Sequence, residues 1–345
     1  MTDTTDHLLE PLDAEAPCGP NLEYDAAFLT LESLAAPRPE RAIGDTVKQA
    51  EEPDWRDVAR QAEQVAGRTH DLRVAVHLGN ARLKTAGVVA WAASIGLIAG
   101  LLQRYWDDVH PRLDGDDPTE RINALASLSA VDGTAGYLRG TPLLRAERIG
   151  AFSLRDLRLL NGTLKPGDAP TADDGVVSQE IVDAVVQHVD IAELLATDAA
   201  IAEAVSQVQA IGHVFEMRTP GAGPDLDTLE RDLRELHLFL RAQVASRAPE
   251  ALASQDAEAA GEGDAIRPET EHVAARGPVR NTDDVLRMLE EICAWYARHE
   301  PSSPVPPLLR RASRLVGLSF AELLRTLAPG GLSEFQSLAG DDENP

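Results

Sequence analysis

The run from Ala86 to Leu102 carries no charged side chain. Trp91, Ile95, Ile98, Leu102 and Tyr105 recur at helical spacing and make one apolar stripe. Alanine and glycine fill much of the rest, with Gly96 and Gly100 one turn apart. Such a segment must leave water, either by crossing a membrane or by lying inside a bundle. A crossing needs about 20 strongly apolar residues. This run is shorter, rich in small residues, and closes into Arg104 and Asp107. The expectation is a buried helix from Val88 to Trp106, closely approached by its neighbours, with no membrane insertion.

A buried central helix needs others around it, and the composition supplies them. Hydrophobic residues make up 43% of the 345, with aromatics only 4%. Alanine and leucine dominate, and strand-favouring residues are sparse, so the fold class expected is all-α. Helix starts are legible. Pro53-Asp54 opens a helix from Trp55 to about Ala66, with Asp54 as N-cap. A second runs from Asp71 to about Thr85 and stops at Gly87. After the turn at Pro111 and Gly115, Asp117 is expected as N-cap of a helix to about Ala130, with Pro118 first and Glu120 third. Ser153 to Asp156 caps a short helix that Gly162 ends. In the amino-terminal arm, Leu22, Tyr24, Phe28 and Leu31 are expected to hold the chain to the core.

Four segments follow from punctuation. Residues 1–162 form a helical amino-terminal domain, separated by a polar loop from a middle hairpin or bundle over 175–246. That unit has helices near 178–188, 190–216 with breaks, and 226–245. Its apolar stripe is Leu226, Leu229, Leu233 and Leu236. Residues 247–278 are acidic and poor in bulky apolar groups, the signature of a flexible linker. A coil of about 30 residues spans roughly 30 Å. Residues 279–345 form a small helical oligomerisation domain. Its first helix carries Met288, Leu289, Ile292, Trp295 and Tyr296, and Pro304 lies in a rigid turn. A second carries Leu308, Leu309 and Leu315, and a third begins near Phe320. A unit of about 60 residues buries little core and gains stability by self-association.

The formal net charge of −25 disfavours nucleic acid and anionic lipid as partners. Two distant cysteines, Cys18 and Cys293, suit a reducing compartment. The nine histidines make no HExxH and no zinc spacing. His70 is expected partly exposed at a helix start. No GxSxG or phosphate-binding glycine loop occurs. The one chemical alternative is a metal-dependent hydrolase using the acidic cluster from Asp107 to Asp117, with Asp107, Asp108, Asp114 and Asp116 as oxygen ligands. Its spacing does not match a calcium loop, and Asp117 and Glu120 are expected as helix caps. No cofactor is expected.

Several separated blocks carry a resemblance. They are Ile43-Gly-Asp-Thr-Val47, Glu51-Glu-Pro-Asp-Trp55, Asp71-Leu-Arg-Val-Ala75, Arg104-Tyr-Trp-Asp-Asp-Val-His-Pro-Arg-Leu-Asp114 and Arg121-Ile-Asn-Ala-Leu125. In that order they resemble the ImpA amino-terminal domain, the first part of TssA proteins of bacterial type VI secretion. Leu143-Leu144 and Phe152-Ser-Leu-Arg-Asp156 continue the likeness. The stretch from His299 to Pro329 resembles the carboxy-terminal domain of the shorter TssA class. On this resemblance Gly44, Asp45, Pro53, Asp54, Trp55, Arg73, Tyr105, Trp106, Asp107 and Arg121 are the family-motif residues, structural or partner-binding. The self-association candidates are Leu289, Ile292, Trp295, Tyr296, Pro304, Leu308, Leu309, Leu315 and Phe320. The resemblance implies a cytoplasmic, non-enzymatic assembly protein. It would form a homo-oligomeric ring through its carboxy-terminal domain and contact baseplate, tube and sheath components.

Overall fold

The computed structural model describes residues 6–37, 41–43, 46–48, 52–165, 177–250, 282–299 and 305–316. Residues 1–263 make one compact unit and residues 264–345 a second. The fold is mostly helical.

In the first unit, α1 (Ala26–Ala35) and α2 (Trp55–Ala66) pack together, and between them in the chain comes a small hairpin, β1 (Arg41–Ile43) with β2 (Thr46–Lys48). Asp54 starts α2 as expected, its carboxylate accepting from the amides of Arg56 and Asp57. Asp71 caps α3 (Leu72–Ala86) in the same way, and Gly87 closes it with a φ of 84°. That glycine leads straight into α4 (Val88–Arg104). Trp91, Ile95, Ile98 and Leu102 are all buried on α4. Among the described residues no helix is long and apolar enough to cross a membrane.

Beyond the turn, α5 (Thr119–Ala126) begins one residue later than the sequence suggested. Pro118 is the formal cap and has no side chain to offer. The Asp117 carboxylate still caps, accepting from the Thr119 amide at 2.9 Å and the Thr119 hydroxyl. A short α6 (Thr134–Gly140) follows. Next comes an antiparallel hairpin, β3 (Pro142–Ala146) with β4 (Gly150–Ser153), with a register shift between Pro142 and Leu144. Neither element stood out in the sequence. The bulge sets Leu143 and Leu144, neighbours in the chain, both into the core, so the alternation that marks a strand is lost. α7 (Leu154–Leu160) carries the full capping box between Ser153 and Asp156.

The remaining helices of this unit are α8 (Gln179–His188), α9 (Ile191–Arg218) and α10 (Asp227–Arg247). α9 runs unbroken through its expected interruptions. It contains no proline, and Gly212 faces open space, so nothing forces a break. Among the described residues the most extensive helix pairing is α4 with α9, across the 162–175 boundary proposed from punctuation. The cause is α4 itself. A helix apolar on most of its circumference needs cover on two sides, and α3 supplies one while α9 supplies the other. Tyr24, expected in the core, is instead exposed; the arm is held by Leu22, Phe28 and Leu31.

The second unit shows α11 (Thr282–His299) packed on α12 (Val305–Ser313). The Cys293 thiol reaches the Pro306 carbonyl at 3.8 Å. The third helix expected near Phe320, together with Pro304, lies outside the described residues, as do Gly44, Asp45 and most of the 247–278 linker.

Candidate functional site

The turn that leaves α4 is held from four directions. The Tyr105 hydroxyl donates to the Leu9 carbonyl at 2.8 Å. Trp106 is buried edge-on against Phe215 of α9, ring centroids 5.1 Å apart. Arg121, from α5, is fully buried. Its Nε donates to the Pro111 carbonyl at 2.7 Å and its Nη2 to the Val109 carbonyl at 2.9 Å. Its guanidinium lies over the Trp106 ring, 4.8 Å from the centroid. Burial pushes its pKa down to about 10, so it remains a cation at neutral pH. The charge is solvated by backbone carbonyls and a ring face, which suits the planar fork of arginine.

Backbone bonds complete the join. His70 N–H donates to the Cys18 carbonyl at 2.9 Å, His110 N–H to the His70 carbonyl at 3.0 Å, and Leu72 N–H to the His110 carbonyl at 2.8 Å. Gly19 sits at φ 66°, where a Cβ would meet the Arg68 carbonyl oxygen at 2.5 Å. Three distant stretches of chain therefore meet within a few ångströms. His70, expected partly exposed, is buried in that junction, and burial followed by the nearby His110 lowers its pKa. The Cys18 thiol is buried too, and its pKa is pushed up to about 12 by burial and then by Asp108. A thiol held protonated in this way is no nucleophile at neutral pH.

The acidic residues here serve the bend. Asp114 and Asp117 pair through their backbones, and Asp108 reaches Arg112 at 3.3 Å. Asp107 and Asp116 are exposed. Among the described residues no three His, Cys, Asp or Glu side chains converge as metal ligands. The hydrolase reading therefore gains no support from the geometry. Arg73 grips Asp71 with two hydrogen bonds, of 3.1 and 2.8 Å, and lies over the Phe28 ring at 4.6 Å. It borders an open cleft of about 340 Å³ shared with Glu23, Glu32, His77 and Glu120. On α2, Trp55 is half-buried against Tyr137 and donates its Nε1 to Glu52, with Pro53 half-buried beside it. The motif residues of the first unit are thus spread over three places: the bend, the α3 start and the α2 start.

One buried network escaped the sequence reading. Asp232 of α10 is 2% exposed and takes Arg139 from α6 at 2.5 Å and Arg158 from α7 at 2.6 Å. Arg158 also reaches Glu235 at 2.6 Å. The available signal was a carboxylate set among the Leu229, Leu233 and Leu236 stripe. A charge on a buried face requires a partner.

The second unit presents a different kind of surface. On α11, Met288 is 44% exposed, Ile292 41% and Trp295 45%, while Leu308 of α12 is 64% exposed. Leu289, Tyr296, Leu309 and Leu315 are half-buried, and Cys293 is buried toward α12.

Comparison with known proteins follows the same lines. The family described as ImpA, N-terminal, type VI secretion system, matches residues 9–130. A solved structure of the N-terminal domain of the TssA component from Burkholderia cenocepacia, which includes the conserved ImpA amino-terminal region, has the same fold. Its TM-score is 0.56 at 24% identity, over 72% of this chain and 96% of that one. The type VI secretion system component TssA1 of Pseudomonas aeruginosa is 37% identical over 97% of this chain and 98% of its own length. With a likeness of that extent over both units, this chain belongs to the TssA family of type VI secretion system components.

Proposed function

We propose that this chain is a non-enzymatic assembly scaffold that works as a homo-oligomeric ring built by its carboxy-terminal unit. In this reading the ring presents many copies of the helical body to baseplate, tube and sheath components in the cytoplasm. The observation that carries it is the exposed apolar face of α11: three large side chains on one stripe, each more than 40% exposed. Large apolar side chains grouped on one helix face mark an interaction site more often than singly scattered ones do. Ring formation multiplies weak contacts of the body by raising their effective concentration. The two free, buried thiols suit a reducing compartment, and a net charge of −25 favours basic or neutral protein partners.

The test is the native mass of the full chain beside that of a chain ending at Arg247. The full chain is expected as a multimer at micromolar concentration and the shortened one as a monomer. A monomeric full chain, or a multimer that survives the truncation, overturns the reading.

A further inference from the structure

The cleft of about 340 Å³ beside Arg73 opens outward between α3, α5 and α1 with the residues before it. Val76 and Pro111, both buried, and half-buried Ala124 make an apolar floor. Glu23, Glu32 and Glu120 stand at the rim. Their own cations answer them only in part. Arg73 is held by two hydrogen bonds to Asp71, whose side chain is fully buried, and reaches Glu23 at 3.9 Å, too far for a hydrogen bond. His77 pairs with Glu32 at 3.0 Å. Glu120 and Asn123 have no side-chain partner among the described residues. Negative charge therefore exceeds positive charge over an apolar floor, a combination that concentrates the field inside a cleft. The lining also draws on three of the separated sequence blocks, through Arg73, through Pro111, and through Asn123 with Ala124. Trp106 and Arg121 of those blocks turn inward to the bend, whereas Asn123 is exposed and borders the cleft.

We propose that this cleft is a docking slot for an arginine side chain presented by a segment of a protein partner. The methylene stem lies along Val76, Pro111 and Ala124, as long cationic side chains do on apolar surface. The guanidinium faces the Glu23 and Glu120 carboxylates, which its planar fork is shaped to meet. The volume is at the lower end of the range of about 300 to 1,000 Å³ for ligand pockets, which suits one long side chain. Charge selects the occupant, because an acidic or neutral side chain would leave the rim carboxylates without a counter-charge. This inference rests on the reading that the helical body contacts other proteins, and adds the place of contact and the chemistry it takes.

The test titrates the full chain with N-acetylarginine methylamide and with its citrulline analogue, which keeps the shape and lacks the charge. Binding is read by ligand-observed NMR at physiological ionic strength. The wild type is expected to bind the arginine probe and to bind the citrulline one far more weakly. Glu23→Gln with Glu120→Gln should weaken arginine binding about fivefold, the scale of two partly exposed ion pairs. Asp116→Asn with Glu216→Gln removes two exposed carboxylates outside the cleft and should leave binding unchanged. Asn123→Trp fills the slot with every charge kept and should abolish binding. It stands in for the glutamine pair if circular dichroism shows that pair unfolded. No binding by the wild type, equal binding of citrulline, or equal weakening by both carboxylate pairs overturns the slot. A changed native mass of the Glu23→Gln, Glu120→Gln chain also overturns it, since a second copy would then be the occupant. A multimeric wild type that binds no arginine overturns the slot alone and leaves the scaffold reading standing. A monomeric wild type that binds it does the reverse.

Discussion

The body buries two of its arginines, while two in the carboxy-terminal unit stand at the surface. In the body, Arg121 is sunk beneath Trp106 and solvated by two carbonyls, and Arg158 is locked between Asp232 and Glu235. In the second unit, Arg310 and Arg314 stand in the open. Two tryptophans divide likewise. Trp106 is edge-on to Phe215 in the interior, whereas Trp295 keeps 45% of its surface in contact with solvent. The body holds these side chains within its own fold. The second unit leaves their counterparts at the surface, where large apolar groups on one face mark an interaction site.

Removing the buried cation should break the body hardest. Arg121→Ala strips two charge-assisted hydrogen bonds, leaves the Val109 and Pro111 carbonyls short of donors, and opens a cavity under Trp106. The expected loss is about 4 kcal/mol of unfolding free energy, read by urea titration. Arg121→Lys recovers little of it, because an ammonium cannot reproduce the fork.

Asp232→Ala leaves Arg139 without its carboxylate and Arg158 with Glu235 alone, at an expected cost of about 3 kcal/mol. Neither this change nor the loss of Arg121 should alter the native mass of the chain. A drop in mass at constant fold would join the two units more closely than their chemistry suggests.

Ser153→Ala removes half of the α7 capping box and should cost about 1 kcal/mol, visible as a shifted urea midpoint with unchanged slope. A null effect would mean that Asp156 holds the helix start alone.

The smallest expected effect is that of acid on the body. Burial and the neighbouring His110 hold the His70 pKa below its ordinary 6.5 in the folded state. The unfolded chain therefore binds more protons in the window below about pH 6.5, and stability falls as pH drops through it. Asp198, whose pKa burial raises, works in the other direction in acid, because the folded state then takes up its proton more readily. Thermal melts of wild type and His70→Gln separate the two. The variant should lose less stability than wild type between about pH 7 and pH 5.5. An identical slope would show that His70 is not the group responsible.

Most of the helical frame was legible in the chain, because caps and breakers act locally. Asp54, Asp71, Ser153 with Asp156, and Gly87 each set a helix end through bonds within a few residues. The residue Asp117 was legible as a cap while its position was misread by one, since Pro118 carries the formal place and the carboxylate reaches past it. The β3–β4 hairpin was not legible, because its bulge erases alternation. Of the candidate site, Arg121 and Trp106 were visible as motif residues, yet the spacing of residues could not tell a buried cation from an exposed one. His70 was misjudged for that reason: its exposure depends on Cys18 and His110, far away in the chain.

By itself the sequence determined that α4 must be buried, where most helices begin and end, and that the two ends of the chain differ in how much they can keep inside. These follow from short-range hydrogen bonding and from the removal of uncharged surface from water. Only the tertiary structure decided that α9 is what covers α4 and that Asp232 pairs with two arginines from other helices. Those outcomes depend on which distant segments meet. Burial demands a partner for each apolar face and each charge, but the pattern along one segment does not name the partner.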